Sequence, residues 1–347
     1  MEKSVYSKQD FVGSVLNKSN QELSAIDHSG YIPVKLKQSN GKVRLIYRLP
    51  DNNILANIQE KLNQNFFNTF YFSNAAHGFV KGKSYRTFLE PHKADPYEQK
   101  DKLFLKLDIK DFFPSITKDL IKGSLAEYIK IEDTGQKEEV LNWTVNAITL
   151  GGKLPMGART SPVISNLVFR RIDARIQKYC FDTNITYTRY ADDLLFSSYQ
   201  DICHNERFIN LIIGILREYN MELNFNKIRR GVGTFSTNGF VISDTLRLSR
   251  KKLEEIRRVL FVLDVLLNNR ITQKTLLEQI NEELIKNSST KRFYSLSHIN
   301  NFLAGQRAFL IAWIPNQNSK FQTQSKKLIK RIDSHLEGLS EYNELNL

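Results

Sequence analysis

Apolar positions along this chain recur at two distinct periods, and the change from one to the other marks out its elements. Ile185-Thr186-Tyr187-Thr188-Arg189-Tyr190 and Leu194-Leu195-Phe196-Ser197-Ser198 are dense in β-branched and aromatic residues, which predicts a strand, a tight turn and a returning strand. Phe104-Leu105-Lys106-Leu107-Asp108-Ile109 carries a third strand pattern, broken by Asp111 and Pro114. Further along the period lengthens. Leu253, Ile256, Leu260, Leu263 and Leu267 follow Ser249 at three- and four-residue steps and predict a capped amphipathic helix, with a second helix from Leu296 to Ile314. Residues 131–150 read as a loop and a helix, and Ser161-Pro162 opens another helix because proline is tolerated in a first turn. Glu90 to Lys102 reads as a charged linker with turns at Pro91 and Pro96, and the acidic stretch Leu336 to Leu347 as a frayed end.

Tyr190-Ala191-Asp192-Asp193 falls at the tip of the expected hairpin, which places two carboxylates there. If the strand ending at Asp108 pairs beside that hairpin, a third carboxylate joins them. Two-metal nucleotidyl transfer needs such a gathering, with cations about 3.5–4 Å apart that activate the attacking oxygen and stabilise the developing charge. Mg²⁺ suits an oxygen-rich site of this kind. An Asp-Asp pair after a strand is more often a solvated turn, so the surrounding residues must decide.

The composition adds a preference for polyanions. Fifty Lys and Arg residues stand against 37 acids, a formal charge of +13. A basic surface that is merely solvated would give the same sum, but the distribution is uneven. From Lys291 to Arg331 the chain carries Lys291, Arg292, Arg307, Lys320, Lys326, Lys327, Lys330 and Arg331 without one acid; His28 to Pro50 is also acid-free and holds Lys35, Lys37, Lys42, Arg44 and Arg48. Lys291, Arg292, Lys326 and Lys327 are the expected phosphate contacts in the first window. Cys180 and Cys203 make neither a zinc pattern nor a disulfide framework. There is no secretory pattern at the N-terminus and no apolar run of membrane-spanning length, so a soluble, intracellular protein is expected.

Several ordered motifs together resemble the reverse transcriptase family, and its bacterial retron-type branch in particular. They are Gly41 to Pro50, His77-Gly78-Phe79-Val80-Lys81-Gly82-Lys83-Ser84, the Asp108 strand with Phe112-Phe113, Leu154-Pro155-Met156-Gly157 through Asn166-Leu167, Tyr190-Ala191-Asp192-Asp193, and Leu223-Asn224-Phe225-Asn226-Lys227. The resemblance spans roughly residues 30–315 and implies an α+β right-hand polymerase: fingers over residues 1–103, a palm of antiparallel sheet and helices over 104–245 with an inserted fingers segment around 120–165, and a helical thumb over 246–347. It implies an RNA-directed DNA polymerase with Asp108, Asp192 and Asp193 as catalytic acids. These, with the Ile109 carbonyl, would hold two Mg²⁺ ions, with Mn²⁺ as a substitute. By the same resemblance Lys227 protonates the leaving pyrophosphate, Arg44 and Arg48 grip the triphosphate, and Phe113 lies under the sugar and excludes ribonucleotides. Met156 and Gly157 line the dNTP pocket, and Lys81 and Lys83 contact nucleic acid.

Three departures keep the subfamily open. Met156 stands where the branch has Gln, Phe88-Leu89-Glu90-Pro91-His92 matches an expected Asn-Ala-x-x-His only at its His, and Thr237 and Gly239 do not reproduce a Val-Thr-Gly triplet. The resemblance implies dNTPs, a noncoding template and primer RNA and its DNA product as partners, an effector or toxin protein as a further candidate, a bacterial cytoplasmic location, and a role in antiphage defence. The alternatives are a defence-associated reverse transcriptase that is not a retron and makes untemplated or protein-primed DNA, an RNA-binding structural subunit with a vestigial site, and, less favoured, a group II intron enzyme.

Overall fold

In the computed structural model, residues 2–19, 22–37, 43–266, 273–286, 291–314 and 320–345 are described. Gly41, Lys42 and Leu267 lie outside them, as do the side chains of Lys37 and Lys320. The chain forms two compact units, residues 1–92 with 100–232, and residues 93–99 with 233–347.

The first unit opens with an antiparallel ribbon of β1 (Ile32–Lys37) and β2 (Val43–Arg48), in which Leu36 faces Arg44 and Ile32 faces Arg48. Asn53 then caps the helix Ile54–Asn65, its side-chain oxygen accepting from the backbone N–H groups of Leu55 and Ala56. The heart of the unit is a four-stranded antiparallel sheet. Its strands are β3 (Leu103–Asp108), β4 (Thr186–Tyr190), β5 (Asp193–Ser198) and β6 (Arg229–Val232), in the spatial order β4-β5-β3-β6. All six residues of β3 and of β5 are buried, which is why these strands read as apolar runs in the sequence and not as a strict alternation. The 22-residue helix Ser161–Asp182 begins with proline in its first turn and buries Ile164, Leu167, Val168, Phe169, Ile172 and Ile176. The helix Glu206–Arg217 adds Phe208, Ile212 and Leu216 to the same core, where Phe196 packs edge-on to Phe208 at 5.0 Å and stacks on Tyr187 at 4.9 Å. Between β3 and the long helix lie the helices Lys118–Leu125 and Thr134–Ile148, the second capped by Asp133.

The second unit begins with a small sheet, ahead of its helices. It contains a three-stranded antiparallel sheet of β7 (Phe235–Thr237), β8 (Phe240–Ile242) and β9 (Leu246–Leu248). Asn238 and Gly239, at φ 47° and 85°, form the two-residue turn between β7 and β8, a connection that requires positive φ at both positions. Four helices follow: Arg250–Leu266, Gln273–Lys286, Leu296–Ala312 and Lys320–Leu345. Ser249 and Ser295 start the first and third by accepting from the backbone N–H groups of Lys252 and His298. The acidic end expected to fray is helical as far as Leu345. Nor is the stretch after Glu90 a plain linker. Glu90–His92 is a short helical turn with His92 buried, and Ala94 N–H donates to the Ser243 carbonyl at 2.8 Å. That bond pairs residues 149 positions apart by number, a distance no local pattern reports. Among the described residues no helix is long and apolar enough to cross a membrane.

Candidate active site

The acids meet because of strand register. Tyr190 pairs with Asp193, leaving Ala191 and Asp192 as a two-residue turn between β4 and β5. Ala191 takes φ 55°, a left-handed conformation costly for a residue with a Cβ. Asp193 therefore begins β5, and of the two acids only Asp192 lies in the turn. On the other side of β5, Asp193 lies directly opposite Asp108, and cross-strand partners share a face of the sheet. The Ile109 N–H donates to the Asp192 carbonyl at 3.0 Å and ties the end of β3 to the turn.

Two ammonium groups enter this cluster. Lys227, in the short turn Phe225–Lys227 before β6, places Nζ 2.9 Å from both carboxylate oxygens of Asp108. Lys106, buried on β3 two residues before Asp108, places Nζ 2.8 Å from Asp193. Burial raises the Asp192 carboxyl above the ordinary carboxylate range, and the negative charges of Asp193 and Asp108 raise it further.

The donor chemistry fits a hard divalent cation at Asp108 and Asp192. The negative charge of Asp108 disfavours ionisation of Asp192, which a cation would relieve, and Asp108 already embraces a cation with both oxygens in the form of Lys227. Asp193 fits less well as a ligand because its partner Lys106 is buried with it, whereas Lys227 is nearly half exposed and can give way to a cation. Among the described residues no group of three or more Asp, Glu, His or Cys side chains is arranged to hold a metal ion. The sequence reading missed Lys106, whose position among apolar neighbours in a strand resembles an ordinary edge lysine.

Beneath the turn lies a polar network that the sequence reading also passed over. Arg189, fully buried on β4, donates from Nε and Nη2 to Asp173 at 2.9 and 2.8 Å, from Nη2 to Asn166 Oδ1 at 3.0 Å and from Nη1 to the Ala191 carbonyl at 3.3 Å. Tyr187 donates its hydroxyl to Asp173 at 2.8 Å, and the Arg189 guanidinium lies 4.6 Å over the Phe169 ring. A buried Arg within a β-branched, aromatic run gives no local sign of its partners, which come from a helix 16 and 23 residues upstream.

The segment that carries Lys81 and Lys83 also holds the turn. His77 N–H donates to the Arg189 carbonyl, Arg189 N–H donates to the Ala75 carbonyl, both at 2.7 Å, and a Cβ on Gly78 would stand 2.6 Å from the Ala191 nitrogen. Lys83 donates to the carbonyls of Asn74 and Ala76 at 2.8 Å each, and burial lowers its pKa; Lys81 remains exposed. His92 sits under the hairpin, 2.7 Å from Ser197 Oγ and 2.8 Å from Thr188 Oγ1. Burial, reinforced by Lys102 and His77, holds its pKa well below the ordinary histidine value.

Arg44 and Arg48 project from one face of β2 and are exposed. Phe112 is buried 5.2 Å from Phe169, whereas Phe113 is half-buried, with its ring 6.0 Å from that of Phe79. Gly157, at φ 107°, leaves room for backbone, but the backbone is that of β2: a Cβ there would lie 2.8 Å from the Tyr47 carbonyl oxygen, and Tyr47 N–H donates to the Met156 carbonyl. In the second unit Lys291, Lys326 and Lys327 are exposed and Arg292 is half-buried.

Residues 35–242 match the family model for reverse transcriptase (RNA-dependent DNA polymerase). The chain is 30% identical over 244 residues to the retron Mx65 reverse transcriptase of Myxococcus xanthus, covering 66% of this chain and 55% of that protein. It is 36% identical over 169 residues to the retron Ec73 reverse transcriptase of Escherichia coli, covering 47% and 52% respectively. The retron Ec86 reverse transcriptase of the same organism is 28% identical over 207 residues, covering 59% and 58%. This chain thus spans about half the length of the curated relatives it matches. The family match extends over β3, the hairpin of β4 and β5 and the helix Ser161–Asp182, and on it this chain belongs to the reverse transcriptase family, with bacterial retron-type enzymes as its relatives.

Proposed function

We propose that the protein synthesises DNA from dNTPs on an RNA template, in the manner of a retron-type reverse transcriptase. The observation that carries this reading is the convergence of Asp108 from β3 with Asp192 in the β4–β5 turn, inside a chain of this family. We assign the fingers to residues 1–103 and the insert around 120–165, the palm to 104–245 and the thumb to 246–347. Divalent cations, Mg²⁺ or in its place Mn²⁺, held by Asp108 and Asp192 with the Ile109 carbonyl as a further ligand, would supply Lewis-acid stabilisation of the transferring phosphoryl group. Asp193 supports Asp108 across the strand pair, with Lys106 balancing its charge. Lys227 stands against Asp108 and carries a proton that it can give to the departing pyrophosphate. Arg44 and Arg48, exposed on one face of β2, offer planar donor forks to a triphosphate. The half-buried Phe113 is the residue we assign to excluding a 2′-hydroxyl, with Met156 and Gly157 shaping the pocket from the turn docked on β2.

By analogy with its relatives we assign the enzyme a noncoding RNA as template and primer source, an effector protein as partner, and a place in antiphage defence in the bacterial cytoplasm. Primer extension on RNA, with dNTPs and rNTPs compared, tests the core of the reading. DNA synthesis that disappears in Asp108→Asn and Asp192→Asn while RNA binding persists is the expected result. RNA binding without extension by the wild type would leave a structural subunit, and DNA unrelated to the supplied template would mark untemplated synthesis. Sequencing the nucleic acid that co-purifies with the protein separates an RNA-linked DNA from either.

A further inference from the structure

We infer that Arg189, Asp173 and Asn166 form a positioning device that sets where Asp192 stands relative to Asp108. This rests on the polymerase reading above and names residues that act through the turn, without touching substrate.

The device starts on one helix. Asn166 and Asp173 lie seven residues apart on Ser161–Asp182, which is two turns, so their side chains leave the same face. Both are fully buried, as is Arg189. Asp173 takes the guanidinium side-on through Nε and Nη2, and the Tyr187 hydroxyl, two residues earlier on β4, donates to the same carboxylate. The remaining donors of the fork reach the Ala191 carbonyl and Asn166 Oδ1. Asn166 then uses its amide nitrogen to hold the Gly78 carbonyl at 2.9 Å. Gly78 closes the circuit, because its backbone lies against the Ala191 nitrogen so tightly that no Cβ fits between them. The turn is therefore held at the Ala191 carbonyl by Arg189 and at the Ala191 nitrogen by Gly78, and both holds trace back to one helix.

A buried ion pair needed only for stability could be replaced by apolar groups with little loss. This one directs two of its contacts to a turn residue in a left-handed conformation and to the segment pressed against it. Backbone strain of that kind persists only where the surroundings over-determine it, and Asp192 is the next residue. Displacing a reacting group by about 1 Å can cost a hundredfold in rate.

Two variants cut the device without unpairing Asp173. Asn166→Ala removes the bridge to Gly78. Arg189→Lys keeps a cation for Asp173 but has no fork to span Ala191 and Asn166 at once. Each is expected to lower kcat for primer extension at least about tenfold, with the dNTP KM and RNA Kd within about twofold of wild type, and the double variant should be little worse than the weaker single one because both act through one turn. Urea unfolding of each variant supplies the folded fraction to which kcat is normalised. Unchanged kcat, a loss that falls in KM, or a loss that vanishes on normalisation overturns the inference. A wild-type protein that extends no primer would instead sink the polymerase reading, and Asp192→Asn serves as the inactive reference.

Discussion

At the scale of single residues, the three acids are not equivalent. Asp192 is half-buried with its charge disfavoured, Asp108 is embraced by Lys227, and Asp193 is engaged by Lys106. Titration with Mn²⁺ followed by electron paramagnetic resonance should therefore show binding lost in Asp108→Asn and Asp192→Asn and largely kept in Asp193→Asn. Lys106→Met would remove its ammonium from the nearly buried Asp193 carboxylate and should lower the unfolding free energy by about 3 kcal/mol, read from urea denaturation. Histidine gives a pH signature. His92 is held well below the ordinary histidine pKa and His77 is lowered to about 4, both chiefly by burial. The unfolded chain then binds these protons more readily than the native one, so stability is complete above about pH 6.5 and falls as the pH drops below it, by at most about 1.4 kcal/mol per pH unit for each histidine. Thermal melts between pH 7.5 and 5 should show that fall, and His92→Gln should flatten it.

At the scale of elements, two glycines are held by the close approach of another backbone. Gly157 at φ 107° lies against the Tyr47 carbonyl, so Gly157→Ala should loosen the turn from β2, at a cost of about 1–3 kcal/mol, and expose the Tyr47 amide to hydrogen exchange. Gly78→Ala would push its Cβ into the Ala191 nitrogen and displace the Asp192 turn; primer extension should fall below detection while the circular dichroism spectrum changes little. The glycines themselves were legible in the sequence. What approaches them was not: each meets protein backbone more than a hundred positions away along the chain, Gly157 that of Tyr47 and Gly78 that of Ala191.

At the scale of the whole molecule, the charge of +13 and the acid-free window around Lys291, Arg292, Lys326 and Lys327 make phosphate contact the main source of RNA affinity in the proposed function. The logarithm of the RNA binding constant should fall linearly with the logarithm of salt, with a slope steeper than about −4, and neutralising Lys326 and Lys327 together should reduce that slope by about 2. A slope near zero in filter-binding titrations would remove the basic windows from the interface.

The hairpin, the β3 strand, the amphipathic helix after Ser249 and the acids they carry were all written in local pattern, because hydrophobic period and turn chemistry act over a few residues. The small sheet β7–β9 was not, since its strands are three residues each and too short for a period to register. Neither was the setting of the acids. Which ammonium faces which carboxylate, and which buried arginine holds the turn, depends on side chains that meet only when the long helix, the His77 segment and the turn before β6 close around the central sheet. The sequence by itself determined what chemistry was available and on which elements it rides. Tertiary structure decided how each charge is balanced, because electrostatic partnership falls off with distance in space and is indifferent to distance along the chain.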